Sequence, residues 1–141
     1  MADKHTPQQR SYNMSQVRSK NTKPELMVRK FLFAQGFRFR LHDKKLPGKP
    51  DIVLPKYKTA VFVHGCFFHG HEGCRYATIP ETRAEWWAEK INSNRRRDLE
   101  NCAKLQATGW KIITIYGCEL KPSNYASTLL KLEQNLRSQP E

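Results

Sequence analysis

Residues 50–74 read PDIVLPKYKTAVFVHGCFFHGHEGC. Two apolar runs in this stretch, at residues 51–54 and 59–63, predict two short strands, and the near-continuous second run predicts a strand buried on both faces. Residues 64–79 are rich in Gly, His and Cys, which predicts an irregular loop. The stretch therefore holds part of a central sheet and, directly after it, a dense set of side chains that can bind metals or transfer protons.

A helix is expected on the N-terminal side of this stretch. Thr22 can cap it, Pro24 suits its first turn, Glu25 can complete a capping box, and Gly36 ends it. Residues 37–41 then alternate apolar and basic side chains, which predicts a strand with one buried face.

Three further elements are expected on the C-terminal side. Residues 82–107 have a helical pattern, residues 110–116 form a β-branched run, and a last helix starts at Pro122 and Ser123. The order helix, three strands, helix, strand, helix predicts a mixed α/β domain with helices on both sides of one sheet. We assign residues 21–141 to this single domain and the polar, basic residues 1–20 to a flexible arm.

The charge balance indicates a polyanionic partner. The chain has 25 Lys and Arg against 13 Asp and Glu, a net charge of +12. Nucleic acid is the commonest partner of a small domain this basic, although a merely soluble basic surface is the alternative. No apolar run approaches the roughly 20 residues that span a membrane, and no apolar signal segment opens the chain. We therefore expect a cytoplasmic protein without a membrane partner, and a monomer.

Four residues have the spacing of a structural metal site. They are Cys66, His71, Cys74 and, just past the last predicted strand, Cys118. Three ligands within nine positions and one distant ligand predict a closed tetrahedral Zn²⁺ site that staples the loop to the sheet. On spacing alone His69 could replace His71, and free buried thiols with a surface histidine are the alternative interpretation. Cys102, in the middle of a predicted helix, is expected to be a packed small residue.

A second constellation lies at the strand ends. If the two central strands are adjacent, the Asp51 carboxylate, the Val63 backbone carbonyl and the side chains of His64 and His69 meet. Carboxylate and carbonyl oxygens suit Mg²⁺, and a histidine that titrates near neutrality can activate water. On spacing alone, however, an isolated Pro-Asp pair is usually a turn.

A series of motifs runs in order from about residue 10 to Cys118: Asn13-Met14, Arg18, the Glu25 helix, Gly48-Lys49-Pro50-Asp51, residues 61–69 (VFVHGCFFH), Thr82-Arg83 and Trp86-Trp87. These motifs resemble those of the very short patch repair (Vsr) endonucleases. The resemblance implies a restriction-endonuclease-like fold, in which helices flank a mixed central sheet with a structural zinc loop. It implies Mg²⁺-dependent nicking of duplex DNA 5′ to the thymine of a T:G mismatch, in association with the bacterial nucleoid. Such mismatches arise when 5-methylcytosine deaminates.

The resemblance also implies roles for the central residues. Asp51 matches the Mg²⁺ ligand, Val63 contributes its backbone carbonyl to that ion, and His69 matches the residue that activates water. Glu25 and His64 match supporting residues of the active site. The resemblance selects His71 over His69 as the zinc ligand beside the three cysteines.

Residues that contact DNA are implied in the same way. Phe67, Phe68 and Trp87 match aromatic residues that wedge beside the mismatch, although core packing is the alternative for Phe67 and Trp86. Met14 and the arm are expected to enter the minor groove. Further contacts are implied for Lys90 and Asn94 near the mismatch and for Arg95, Arg96 and Arg97 on phosphates, where a solvated helix face is the alternative.

The chain departs from the family pattern in four places. Val63 stands where Thr is usual, Phe68 stands where Trp is common, and Glu72-Gly73 lengthens the loop by one residue. The usual lysine of the nuclease fold is missing, with histidine in its place. Two rival functions remain at this stage, namely a zinc-stabilised DNA-binding module without catalysis and a nuclease without mismatch dependence.

Overall fold

The computed structural model describes residues 22–138, so the predicted arm at residues 1–20, including Met14, lies outside the described residues. The helices and strands follow in the order α1 (Lys23–Ala34), β1 (Arg40–Leu41), β2 (Ile52–Leu54), β3 (Thr59–His64), α2 (Ala84–Ala107), β4 (Lys111–Tyr116) and α3 (Tyr125–Arg137). The predicted order of elements is confirmed. Within the described range no helix is both long enough and apolar enough to cross a bilayer.

One mixed sheet has the strand order β1-β2-β3-β4. The first three strands pair antiparallel, with Ile52 opposite Val61, whereas β3 and β4 run parallel, with His64 opposite Tyr116. The start of β2 therefore lies beside the end of β3. This arrangement brings the chain before Ile52 close to the residues that follow Val61.

Strand β3 separates two apolar layers, because its side chains alternate between the two faces of the sheet. Val61 packs with the buried faces of α1 and α3, including Leu32 and Leu132, whereas Ala60 and Phe62 pack with Leu105 of α2. Helices thus cover both faces of the sheet, as predicted. Leu129, Leu132 and Leu136 are the buried residues of α3.

The predicted strand at residues 37–41 is wrong for its first three residues, because the end of α1 uses that segment. Gly36 has a φ of 88°, and the Phe37 N–H donates back to the Leu32 carbonyl (3.0 Å). This is the hydrogen bond of a Schellman cap, which satisfies a helix carbonyl and turns Phe37 into the core against Tyr57. Only Arg40 and Leu41 remain to pair with β2.

The N-terminus of α1 has half of the predicted capping box. The Thr22 hydroxyl accepts a hydrogen bond from the Glu25 N–H (3.4 Å), as expected for an N-cap. The Glu25 side chain is turned inward, with 1% of its surface exposed, and contacts Arg29 and His42. The Glu25 side chain is therefore part of the site described below.

Candidate active site and metal centre

A cleft of about 390 Å³ opens where β2 begins and β3 ends. Its position follows from the antiparallel pairing of these strands, which sets residue 51 beside residues 62–64. The imidazole and carboxylate side chains that line the cleft come from five separate segments of the chain. These are His42, Asp51, His64, His69 and Asp98, and Lys44, Lys49 and Cys102 also line the cleft.

Asp51 is anchored at the floor of the cleft. Its Oδ2 accepts a hydrogen bond from the Val63 N–H (2.7 Å), so the structure brings together the two residues that the sequence placed at neighbouring strand ends. Burial raises the pKa of Asp51 to about 6; the hydrogen bond from Val63 opposes this shift, and the charge of Glu25 adds to it. The carboxylate is thus held in place but is costly to ionise unless a cation is near.

Glu25 lies beside Asp51 and contacts His42, a residue that the sequence did not indicate. Glu25 Oε2 accepts from Arg29 Nη1 (3.1 Å) and lies 2.8 Å from His42 Nε2. One ligand atom from each of Glu25, His42 and Asp51 lies within 4.8 Å of the others, so these residues could hold a metal ion. His42 belongs to no motif; its backbone has a φ of 47°, and its N–H donates to the Asp51 carbonyl (3.1 Å).

His64 and His69 form a stacked pair at the side of the cleft. Their rings lie 3.7 Å apart and 4° from parallel, and His69 Nδ1 lies 2.8 Å from Asp98 Oδ2. Burial, followed by the charge of His69, lowers the pKa of His64 to about 4. His64 is therefore neutral near pH 7, and His69 is the ring of the pair that faces a carboxylate.

Asp98 is a functional candidate that the sequence did not indicate. It follows three consecutive arginines on α2, a pattern that is typical of a solvated helix face. If His69 Nδ1–H donates to Asp98, His69 Nε2 carries its lone pair toward the cleft. Asp98 can thereby fix both the tautomer and the orientation of His69.

The Cys₃His cluster lies on the other side of the loop. Ligand atoms of Cys66, His71, Cys74 and Cys118 all lie within 4.8 Å of one another, and Cys118 Sγ is 3.4 Å from His71 Nδ1. Burial, followed by contact with the Cys66 and Cys74 sulfurs, raises the pKa of Cys118 to about 12. A bound cation would remove the repulsion between adjacent thiolates, so this donor set fits a metal ion. The structure groups His71 with the cysteines and His69 with Asp98.

Cys102 lies apart from this cluster. It is a half-buried residue of α2 that lines the cleft instead. Its place in mid-helix is the one predicted for a packed small residue.

A tight turn connects the cleft with the Cys₃His cluster. The His69 N–H donates to the Gly65 carbonyl (3.2 Å) and the His71 N–H donates to the Cys66 carbonyl (2.9 Å). Gly70 separates the two histidines and packs closely against α2. The position of His69 is therefore coupled to that of His71 through a short segment of hydrogen-bonded backbone.

We expect Gly70→Ala to destabilise this turn by about 2–4 kcal/mol, through the sum of left-handed backbone strain and overpacking. Gly70 has a φ of 59°, and a Cβ there would lie 2.6 Å from Ile91 Cγ2 and 2.7 Å from Arg95 Cδ. Urea unfolding measures the loss. Gly73→Ala is the matched control, since Gly73 has a φ of 72° but nothing within 4 Å of the added Cβ, and only about 1–2 kcal/mol is expected. Equal losses in both variants would contradict the packing argument.

An aromatic cluster projects from the same loop and the start of α2. The Phe67 ring centroid lies 5.1 Å from those of both Phe68 and Trp87, and the three side chains are partly buried. Trp86 is 46% exposed and stacks under the Arg83 guanidinium, so the core-packing alternative is wrong for Trp86. Large apolar rings at the edge of a polar cleft are suited to contact with bases.

The expected DNA-contacting residues of α2 lie near this aromatic cluster. Asn94 Nδ2 donates to the Phe68 carbonyl (2.8 Å), and Arg95 Nη2 lies 3.9 Å from Glu72 Oε2. Asn94 therefore supports the backbone of the aromatic loop. The remaining cationic side chains of this set are exposed, namely Lys90, Arg96 and Arg97.

The raised pKa of Asp51 gives a stability prediction with a definite sign. A carboxyl with a folded pKa of about 6 against an ordinary value of 3.8 keeps its proton in the folded state longer than in the unfolded state. Stability therefore falls as pH rises through this window, by on the order of 3 kcal/mol in total. Asp51→Asn should be more stable than wild type at pH 7.5 but not at pH 4, as measured by urea unfolding without added Mg²⁺. A stability difference that does not change with pH would contradict this expectation.

Comparison with known proteins gives consistent matches. A family model described as DNA mismatch endonuclease Vsr matches residues 2–75. The type II nicking enzyme V.XorIIP of Xanthomonas oryzae is 49% identical over 98% of this chain and 96% of its own length. The type II nicking enzyme V.NmeAIP of Neisseria meningitidis is 52% identical over 86% of each chain. The DNA mismatch endonuclease Vsr of Escherichia coli is 40% identical over 86% of this chain and 77% of its own.

Proposed function

The chain belongs to the Vsr family of DNA endonucleases, and from this membership and the geometry of its cleft we propose that it is a mismatch-directed nicking enzyme. It hydrolyses one phosphodiester bond of duplex DNA, on the 5′ side of the thymine in a T:G mismatch, with Mg²⁺ as cofactor. The observation that carries the proposal is the cleft itself, in which Asp51, held by Val63, faces the His69–Asp98 pair. The relatives include both type II nicking enzymes and a DNA mismatch endonuclease.

Asp51 and the Val63 carbonyl are the residues that would hold Mg²⁺. Within a strand, the N–H and C=O of one residue point toward the same neighbouring strand. Because the Val63 N–H donates to Asp51, the Val63 carbonyl faces that side too, and its oxygen and a carboxylate are the hard ligands that Mg²⁺ prefers. Mg²⁺, when bound, would polarise the scissile phosphate and stabilise the leaving oxygen. The replacement of the usual Thr by Val at position 63 is compatible with this role, since the ligand is a backbone atom.

His69 is the base in this proposal. Asp98 holds the Nδ1 side of the ring, so Nε2 can accept a proton from the attacking water. The neutral His64 ring stacked on His69 keeps one face of the base away from solvent and fixes its plane. Glu25 supports Asp51 from the buried side of the cleft. These residues, on a mixed sheet between helices, support assignment to the restriction-endonuclease-like fold.

The Cys₃His cluster is proposed to hold Zn²⁺. Three sulfurs and one imidazole are the ligands of closed tetrahedral zinc sites, which stabilise structure instead of supplying an open position for water. Zinc there would fix the turn that carries His69. The zinc would then have a structural role, although one of its ligands, His71, lies within one backbone turn of His69.

Mismatch recognition is assigned to the aromatic cluster. A mismatched step costs less to unstack than a paired one, and stacking on Phe67, Phe68 and Trp87 would return part of that cost. The net charge of +12 favours phosphate contacts along the duplex, through side chains such as Arg95 and Arg96. Lys90 and Asn94 are proposed to contact the mismatched pair. Met14 and the arm at residues 1–20 would clamp the opposite groove of DNA bound to a monomer in the bacterial nucleoid.

A strand-specific nicking assay tests the proposal. Duplexes with T:G, T:A or C:G at one position, with each strand labelled separately, are incubated with enzyme and Mg²⁺. We expect cleavage of the T-containing strand of the T:G duplex alone. Equal cleavage of all three duplexes would show a nuclease without mismatch dependence. Tight binding with no cleavage of any duplex would leave only a DNA-binding module.

A further inference from the structure

His42 is the side chain of the cleft that the proposed chemistry leaves without a role. It lies between β1 and β2, where its N–H donates to the Asp51 carbonyl and its Nε2 lies 2.8 Å from Glu25 Oε2. Its side chain lines the cleft, whereas Glu25 is almost fully buried behind it. An imidazole in this position can act on a bound ion.

The spacing of the three side chains matches that of ligands around one ion. Adjacent ligands of an octahedral cation with bonds of about 2.1 Å lie about 3 Å apart, and opposite ligands about 4.2 Å apart. The His42–Glu25 separation of 2.8 Å is that of a hydrogen bond and is also close to the first value, so a cation could replace the proton shared by these two groups. All three ligand atoms of Glu25, His42 and Asp51 lie within 4.8 Å of one another, which leaves room for both spacings.

Electrostatics in this part of the cleft also favours a cation. Asp51 and Glu25 are two carboxylates close enough for the charge of Glu25 to add to the effect of burial on the pKa of Asp51. Arg29, at 3.1 Å from Glu25, offsets one of these charges. A divalent ion between the carboxylates would relieve the remaining repulsion.

The stacked histidines form a separate group with Asp98, and they cannot both direct nitrogen at one ion. Nitrogen lone pairs lie in the ring plane, and the parallel rings of His64 and His69, 3.7 Å apart, direct them along separate planes. His69 Nδ1 also faces Asp98. A nitrogen ligand in this cleft is therefore expected from His42.

We propose that His42 Nε2 is an inner-sphere ligand of the divalent cation that Asp51 binds, together with Glu25, and that Mn²⁺ can therefore take the place of Mg²⁺ in this site. The inference rests on the proposed function, because it concerns the cation of that same site. Mg²⁺ prefers oxygen ligands, whereas Mn²⁺ tolerates imidazole nitrogen beside carboxylates. Together with the Val63 carbonyl, these side chains leave positions of an octahedral ion for water and phosphate oxygens.

Pulsed electron paramagnetic resonance of bound Mn²⁺ tests the proposal. Mn²⁺ is added to the full-length protein after its Cys₃His cluster has been loaded with zinc, in the absence of DNA. We expect one bound Mn²⁺ with a ¹⁴N coupling from a directly coordinated imidazole. His42→Asn should remove the coupling and weaken Mn²⁺ binding by at least about 10-fold. Asn is the chosen replacement because it tolerates the left-handed backbone of residue 42.

His69→Gln is the matched control and should retain the coupling, since it removes an imidazole from the same cleft. Loss of the coupling in His69→Gln but not in His42→Asn would overturn the proposal. So would bound Mn²⁺ without any ¹⁴N coupling in the wild-type protein, a measurement that needs no variant to fold. A wild-type protein that nicks the T:G duplex yet shows no coupling refutes only this inference. One that shows the coupling but nicks no duplex refutes only the proposed function.

Discussion

Asp51→Asn is expected to lower the nicking rate on a T:G duplex by about 10³-fold, which corresponds to about 4 kcal/mol of transition-state stabilisation. The amide removes the negative charge that would bind Mg²⁺, but it keeps an oxygen that can accept the Val63 N–H. The substitution therefore separates the chemistry of Asp51 from its structural contact. Single-turnover nicking at saturating enzyme measures the effect without a contribution from product release.

The stability of Asp51→Asn serves as the control for folding, because this variant should be more stable than the wild-type protein at pH 7.5. Glu72→Gln is the matched carboxylate-to-amide control; the Glu72 side chain is 90% exposed in the same loop region, and its removal should leave the nicking rate within about twofold. DNA binding by Asp51→Asn should also persist, since phosphate contacts come from elsewhere on the surface. Undiminished nicking by Asp51→Asn would refute the catalytic assignment.

Cys118→Ala is expected to destabilise the protein by more than about 5 kcal/mol, enough to unfold it at 37 °C. Structural zinc sites contribute about 10–16 kcal/mol of binding free energy, whereas a whole domain of this size is stable by only about 5–15 kcal/mol. In the proposed zinc site Cys118 would supply the ligand that ties the loop to the segment after β4, so its loss would break the connection between these two segments. Thermal unfolding followed by circular dichroism, with zinc content measured in parallel, tests this.

Cys102→Ala is the control, since Cys102 is half-buried on α2 and outside the cluster. It should lower stability by about 1 kcal/mol and keep the full zinc content. If Cys118→Ala and Cys102→Ala melted at the same temperature, the cluster could not be a structural site. Chelation of zinc from the wild-type protein should reproduce the Cys118→Ala result.

The sequence predicted the parts of this molecule that local patterns determine. The sheet centre at residues 51–63 and the helix faces of α1 and α3 follow from hydrophobic runs and periodicity. Residues 37–39 were predicted as strand because apolar and basic side chains do alternate in this segment. A Schellman cap at Gly36 uses one of its N–H groups, so a local hydrogen bond prevailed over the strand pattern.

The site was predictable only where its residues lie close together along the chain. Cys66, His71 and Cys74 fall within nine positions, but spacing could not separate His71 from His69. Only the folded turn at residues 65–71 places His71 among the cysteines and His69 beside Asp98. His42 and Asp98 were missed because their partners lie 17 and 29 residues away and no local motif surrounds them. Side-chain pairing at such separations depends on the folded sheet and on the packing of α2.

The late position of Cys118 has a consequence for the newly made chain. Its partners in the cluster all precede α2, whereas Cys118 follows β4, the last strand along the described part of the chain. A nascent chain on the ribosome therefore carries Asp51 and His69 long before Cys118 has been made. If the cluster binds zinc as proposed, the segment that carries His69 would be fixed only after the last strand has been synthesised and the cell has supplied the metal.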